Sequence, residues 1–324
     1  MSDPLVSFLI PAYNYARYLP DCLNSIFEQE SDVAYEIVVV NDASTDDTRE
    51  LLTTLADPRV RVLHNETNQG HGRTIEIALG AARGELVARI DPDDRYRPKF
   101  LELTTPIFRA YPDVGLVYGD ASIIDERGRV TTASCDVQHN GRPFHGNELV
   151  ALLRDNFICA PTVIARRQCW LDALPVPSHL AFNDWYFTVM IARRWNFYYL
   201  PDVLADYRVH GTQHHTRVAR DGSEEKSIRW LLAEVYAQPE ADSAIEQAKQ
   251  EARGRILASH LVGAAEKYFW FGNYDDARRC YLEALRNDAR QVLKPQILRH
   301  LAATWLGKDR YERLKHVLRG NRAA

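Results

Sequence analysis

The stretch EIVVVNDASTDDTRELLTTL, residues 36–55, sets two patterns end to end. Ile37 to Val40 are β-branched aliphatics in unbroken succession, the signature of a strand covered on both faces. Asn41 and Asp42 stop the run. Ser44 and the acidic pair Asp46 and Asp47 then open a helix whose apolar positions are Leu51, Leu52 and Leu55. The same unit recurs on either side. LVSFLI, residues 5–10, ends at Pro11 and precedes a helix with Leu19, Cys22, Leu23 and Ile26 at three- and four-residue spacing. VRVLHN (60–65) is a third strand, NQGHGR (68–73) a glycine loop, TIEIALGAAR (74–83) a helix and ELVARID (85–91) a fourth strand. Strand and helix in this alternation predict an α/β fold: a mostly parallel sheet flanked by helices.

Beyond it the spacing predicts a helix over 99–111, a strand over 115–125 and a strand over 157–165 broken by Pro161. A helix follows from about Asn183, and FYYLPDVLADYRVH (197–210) reads as two short strands around Pro201 and Asp202. The polar, turn-rich stretch 211–226 marks a boundary, with an α/β domain over 1–220 and a small all-helical domain over 221–324. GNYDDARRCYLEALRND (272–288) fits the second half of a tetratricopeptide unit. A solenoid needs about three such units, so this one reads as a helical hairpin.

Composition narrows the function. The chain has 324 residues, 46% hydrophobic and 26% charged, enough for a sizeable core. A net charge of −4 argues against a nucleic-acid partner. The five cysteines are scattered and odd in number, without a CxxC pair, which points to a reducing compartment and no zinc site. No basic segment precedes the first apolar run, and no stretch nears the roughly 20 apolar residues of a membrane span. The expectation is a cytoplasmic protein.

In sheets of this kind ligands bind beyond the carboxyl ends of the strands. Pro11-Ala12-Tyr13-Asn14, Asn41-Asp42 and Asp91-Pro92-Asp93-Asp94 all fall at such ends and would converge on one rim. Crowding Asp91, Asp93 and Asp94 costs repulsion unless the turn is solvated or a cation offsets it.

Six motifs in order, PAYN, VNDASTDDT, NQGHGR, DPDD, FND and YRVH, resemble those of family 2 glycosyltransferases over roughly residues 5–210. The resemblance implies the GT-A fold, a nucleotide-diphosphate sugar donor and inversion at the anomeric carbon. It makes Asp93 a ligand of Mn²⁺ or Mg²⁺, with Asp91 nearer the ribose, because a divalent cation offsets the charge gathering on a departing diphosphate. It gives Asp42 to the base. A uracil or thymine imide N–H needs an acceptor there, which favours UDP- or dTDP-sugars, disfavours cytidine donors and does not exclude guanine. Pro11, Ala12, Tyr13 and Asn14 frame the same base. Gly70 and Gly72 allow close backbone approach to a ligand, and Arg73 supplies a cation near the diphosphate. His71 departs from the small residue common at its place.

The resemblance also implies Asp184 as the general base that takes the acceptor hydroxyl's proton, at a helix start where a negative charge is favoured. Asn183 stands where the family commonly has Glu, and Asn183 and Trp185 are candidate acceptor contacts. His210 corresponds to a further metal ligand in some members; His214 and His215 read as incidental. The acceptor would be a hydroxyl of a glycan, lipid-linked or small molecule in cell-surface polysaccharide synthesis. From Arg290 to Ala324 nine Lys or Arg face two acids, so these helices fit peripheral contact with an anionic membrane or a solvated end. A homo-oligomer is compatible with the sequence. The competing class is a catalytically silent glycosyltransferase-like scaffold, against which three retained acidic sites weigh.

Overall fold

The structure, a computed structural model, describes residues 4–210, 222–307 and 310–311. His214, His215, most of the boundary stretch and the last part of the basic tail lie outside the described residues. Two compact units divide the chain: residues 1–178 with 183–212, and residues 179–182 with 213–324.

The first unit begins β1 (Val6–Ala12), α1 (Leu19–Phe27), β2 (Tyr35–Asn41), α2 (Thr48–Thr53), β3 (Val60–His64), α3 (His71–Ala81) and β4 (Leu86–Arg89). It continues with β5 (Arg95–Tyr96), α4 (Phe100–Ala110), β6 (Val114–Ile124), β7 (Val130–Thr132), β8 (Phe144–Gly146), α5 (Leu149–Arg154), β9 (Ile164–Arg166), α6 (Arg167–Asp172), α7 (Asp184–Ala192) and β10 (Asn196–Arg208). The strands form one sheet in the order β3-β2-β1-β4-β9-β6-β10-β5, with β7 beside β6 and β8 beside β10.

Successive side chains of a strand face opposite sides of the sheet. Val6, Phe8, Ile10 and Ala12 of β1, with Ile37 and Val39 of β2, join one core with Leu19, Leu23 and Ile26 of α1 and Phe100, Leu101 and Phe108 of α4. The intervening Leu9, Val38 and Val40 are just as buried on the other face. Each such aliphatic or aromatic side chain contributes roughly 1.5–3 kcal/mol of transfer free energy. Burial on both faces is why these strands read as continuous apolar runs.

The sheet is mostly parallel as expected, with β9 antiparallel between β4 and β6. Three details depart from the sequence reading. Pro161 lies in a 3₁₀ turn, Ala160–Thr162, and the strand starts only after it. The segment 197–210 is one strand whose register slips between Leu200 and Val203; Pro201, which has no N–H to give the ladder, sits at that slip. Finally, α3 starts at His71, so three residues of the glycine loop form its first turn.

In the second unit Ser223–Tyr236, Ser243–Phe271, Tyr274–Asn287, Ala289–Val292 and Pro295–Leu306 are helical. The Asp242 carboxylate caps the 29-residue helix by accepting from Ala244 N and Ile245 N, and Gly272, at φ 82°, ends it. Ala258, Leu261, Ala265 and Phe269 pack against Ala277, Cys280, Tyr281 and Ala284 of the next helix. A 29-residue first helix exceeds its share of a tetratricopeptide unit of about 34 residues, so the repeat likeness stays with the second helix's sequence. Lys249 has 0% exposure, and Glu240 at 2.7 Å and Glu246 at 2.8 Å neutralise it.

Gly84 sits where the chain enters β4. A Cβ there would come within 2.6 Å of Ser7 N and 2.8 Å of Val6 C, both backbone atoms of β1. Gly84→Ala should therefore destabilise the fold by about 1–3 kcal/mol, as overpacking does. Urea unfolding of the full chain measures the change in midpoint.

Candidate active site

The carboxyl ends of β1 and β2 are tied together by short polar side chains. Asn14 takes the left-handed conformation at φ 62°, which Asn tolerates better than most residues. Its Oδ1 accepts from Thr45 N at 2.7 Å, while its own N donates to Ser44 Oγ at 3.0 Å. Pro11 and Ala12 are buried just before it. Tyr13 has 43% of its surface exposed.

Asp42 has only 2% exposure. Its Oδ1 accepts from Asn65 Nδ2 at 2.7 Å and Gln69 N at 2.8 Å, and its Oδ2 from Gly70 N at 2.9 Å. Much of the acceptor capacity that the sequence assigned to a base thus holds the glycine loop. Gly70, at φ 82°, precedes α3 in a conformation that side chains disfavour. Arg73 points outward and donates to Glu76 Oε2 at 2.6 Å.

The acidic turn is packed by Arg208, His210, Arg89 and His71. Arg208, 1% exposed, donates from Nε to Asp93 O at 2.6 Å, and its backbone N donates to Asp94 Oδ1 at 2.8 Å. Its guanidinium also reaches Asp125 O and Asp21 Oδ2 and lies over the Tyr18 ring. Two residues on, His210 Nε2 stands 2.9 Å from Asp93 Oδ2. Asp91 meets His71 Nε2 at 3.3 Å and Arg89 Nη2 at 3.7 Å.

The three carboxyls part company electrostatically. Burial works against the Asp91 charge, yet the Arg89 guanidinium and His71 hold its carboxyl well below the usual range. Burial and the charge of Asp91 push Asp93 up, against the pull of His210. Burial, then Asp93 and Asp91, push Asp94 far up. Among the described residues Asp94 Oδ2 is buried without a hydrogen-bond partner. An orphaned carboxyl oxygen beside an excess of negative charge fits a hard divalent cation. No group of three His, Cys, Asp or Glu among the described residues is poised to hold one unaided; Asp93 and His210 provide two.

Asp184 is the first residue of α7, behind Asn183, and its Oδ2 accepts from Asn156 Nδ2 at 3.1 Å. Asn183 Nδ2 lies 3.3 Å from His71 Nδ1. One imidazole therefore touches both the acidic turn and the residue before Asp184. Trp185 corrects its expectation. It is 3% exposed and its indole donates to Leu152 O at 2.7 Å, so it anchors α7 on α5 within the core.

Arg208, His71 as a bridge, Asn156 and Arg89 escaped the sequence reading. The available signal for Arg208 was a charge in a strand whose neighbours are buried, which calls for a built partner.

The family model for glycosyl transferase family 2 matches residues 7–174, and the chain belongs to that family. An uncharacterized glycosyltransferase of Nostoc sp. is 30% identical over 237 residues, 68% of this chain and 70% of that protein. The succinoglycan biosynthesis protein ExoO of Rhizobium meliloti is 41% identical over 95 residues, 29% of this chain and 27% of that protein. The crystal structure of S. aureus TarS 1–349 in complex with UDP-GlcNAc is similar with a TM-score of 0.69 at 19% identity, covering 98% of this chain and 92% of that one. The mannosyltransferase PcManGT of Pyrobaculum calidifontis, in complex with GDP-Man and Mn²⁺, has a TM-score of 0.57 at 19% identity, over 94% of this chain and 87% of that one. The sheet and its flanking helices are those of the GT-A fold, and the protein is a glycosyltransferase.

Replacing Arg208 by Met keeps the packing volume but strands the carbonyls of Asp93 and Asp125. The expected loss is on the order of 3 kcal/mol, read from urea unfolding. A pH effect follows from the residue ahead of α5. Burial pushes the Glu148 carboxyl up to about 7, against the hydrogen bond from Tyr118. A carboxyl raised on folding holds its proton more tightly folded than unfolded. Its contribution is therefore full below the ordinary 4.5 and is lost as pH rises through about 7. Between pH 5 and pH 8 the wild type should lose on the order of 2–3 kcal/mol from this group. Glu148→Gln should flatten that part of the slope in urea titrations at the two pH values.

Proposed function

We propose that the protein is a metal-assisted inverting glycosyltransferase that moves a sugar from a UDP- or dTDP-sugar to a hydroxyl of a glycan or lipid-linked acceptor. The observation that carries the reading is the pairing of Asp93 with His210 on the rim where His71 bridges Asp91 and Asn183. Leaving-group and acceptor chemistry thereby share one place. The donors named for two similar structures, UDP-GlcNAc and GDP-Man, both carry the diphosphate such a rim would receive.

Tyr13 would stack on the base, with Asn14 fixing the loop that presents it. Asp42 would shape the base site by holding the Gln69 and Gly70 backbone beside it. Asp91 would face the ribose. Gly70 permits close approach of the diphosphate, and Arg73 could meet it after leaving Glu76. Asp93 and His210 would hold Mn²⁺ or Mg²⁺, the diphosphate and water completing the ligand set. When bound, such a cation offsets the charge of the leaving diphosphate.

The acceptor oxygen attacks the anomeric carbon from the face opposite the diphosphate. The bond to the diphosphate oxygen breaks, its electron pair leaving with the nucleotide, and Asp184 takes the hydroxyl proton. Asn156 holds one oxygen of that carboxylate, leaving the other for the acceptor. Asn183 stays a candidate acceptor contact through its free faces.

A role in polysaccharide synthesis is supported by the likeness to ExoO. Cytoplasmic placement is supported by five free cysteines. Contact with the inner membrane face is supported by exposed Leu298 and Trp305 on the helix that also carries Arg299. No helix of the described residues is long and apolar enough to cross a membrane.

Thermal unfolding with UDP and Mn²⁺ tests the donor site. A rise in melting temperature is expected for the wild type and its absence for Asp93→Ala; no rise with any nucleoside diphosphate and metal would refute the reading. Asp184→Asn should lower transfer about 10²–10⁴-fold, the usual worth of a general base, with the UDP–Mn²⁺ shift retained.

A further inference from the structure

Neither the acidic turn nor α7 contacts the other through the residues assigned to chemistry. The first turn of α3 lies between them. Its three ties run in three directions: Gly70 N to Asp42 Oδ2 at 2.9 Å, His71 Nε2 to Asp91 Oδ1 at 3.3 Å, and His71 Nδ1 to Asn183 Nδ2 at 3.3 Å. Glu76 Oε1 adds a fourth by accepting from Val176 N at 2.8 Å. The approach is close: a Cβ on Gly72 would sit 3.3 Å from Val176 Cγ1 and 3.5 Å from Asn183 Nδ2.

The chemistry of the partners fixes the imidazole. An amide Nδ2 can only donate, so His71 Nδ1 must accept and carries no hydrogen. A neutral imidazole then bears its hydrogen on Nε2, which is the atom that faces a carboxylate able only to accept. Asn183, His71 and Asp91 thus form a directed chain in which each donor meets an acceptor. With Glu or Asp in place of Asn183 the first link would lose its donor, and the neutral ring could not satisfy two carboxylates at once.

We propose that His71 is a positioning residue: its Nε2–H imidazole sets the spacing between Asp91 at the donor end and the Asn183–Asp184 start of α7. It acts through these neighbours and touches neither reacting atom. Its role rests on the glycosyltransferase reading above, in which Asp184 is the base. Misplacing a reacting group by about 1 Å can cost roughly 10²-fold in rate, whereas nucleotide affinity rests on other contacts. The signature is therefore a fall in turnover without a matching fall in nucleotide binding.

The experiment pairs a spectroscopic and a kinetic readout on the full chain. ¹⁵N spectra of the histidine rings, with the His71 signals identified by their absence in His71→Gln, should show the Nε2–H tautomer. Asn183→Ala should shift the Nδ1 signal as it loses its donor, while Asp91 keeps the hydrogen on Nε2. With UDP-GlcNAc and Mn²⁺, His71→Ala should lower the turnover of UDP release by about 10–100-fold, while calorimetry gives a UDP–Mn²⁺ affinity within about twofold of wild type. His71→Gln, whose amide can accept and donate in the same sense, should recover most of the loss. An Nδ1–H tautomer, unchanged turnover in His71→Ala, equal losses in turnover and affinity, or no recovery by Gln would each overturn the proposal. Wild-type protein that neither binds UDP–Mn²⁺ nor releases UDP would sink the functional reading instead, and the tautomer would then decide the bridge alone.

Discussion

Arg208 fastens the acidic turn at the end of β4, its Nε donating to Asp93 O and its backbone N to Asp94 Oδ1. Arg208 reaches the turn from the last strand of the sheet, and it grips backbone as well as charge. Removing such a side chain leaves the carbonyls of Asp93 and Asp125 in a low-dielectric setting without their donor. The turn is therefore defined by β10 as much as by its own sequence. Its geometry then places His210, two residues further on, against Asp93. Asp91 is held low by the Arg89 guanidinium and the His71 hydrogen bond, whereas burial and the neighbouring carboxylates push Asp93 and Asp94 up.

The opposite side of the rim is organised by acceptors rather than cations. The Asn14 side chain and the Asp42 carboxylate collect backbone N–H groups from the loops after β2 and β3. Polar strand ends of this sort convert a stack of apolar strands into a shaped edge. The apolar interior supplies the energy, and the short polar side chains supply the direction.

How much of this was legible follows from where each signal lives. Residues 36–55 disclose strand and helix because burial on both faces of β2 leaves an unbroken β-branched run, and the capping residues of the next helix follow at once. The antiparallel β9 was not legible: three residues after a proline carry no directional information. Pro201 suggested a break in β10 because its missing N–H is a local fact, whereas the strand continues by slipping register, which only the partner β6 reveals. Trp185 looked like an acceptor contact because it adjoins Asp184 in sequence. On a helix, adjacent residues point about 100° apart, and Trp185 turns into the core. The Asp93–His210 pair came from motif order rather than from spacing, since 117 residues separate them.

The grip of Arg208 on Asp94 spans 114 positions of the chain. On a ribosome adding about 5–20 residues per second, the acidic turn emerges roughly 6–23 s before the strand that completes it. During that interval the nascent chain carries β1 to β4 without the strand that fastens the acidic turn. A chain that stops short of Arg208 therefore lacks the donors that fasten Asp93 and Asp94.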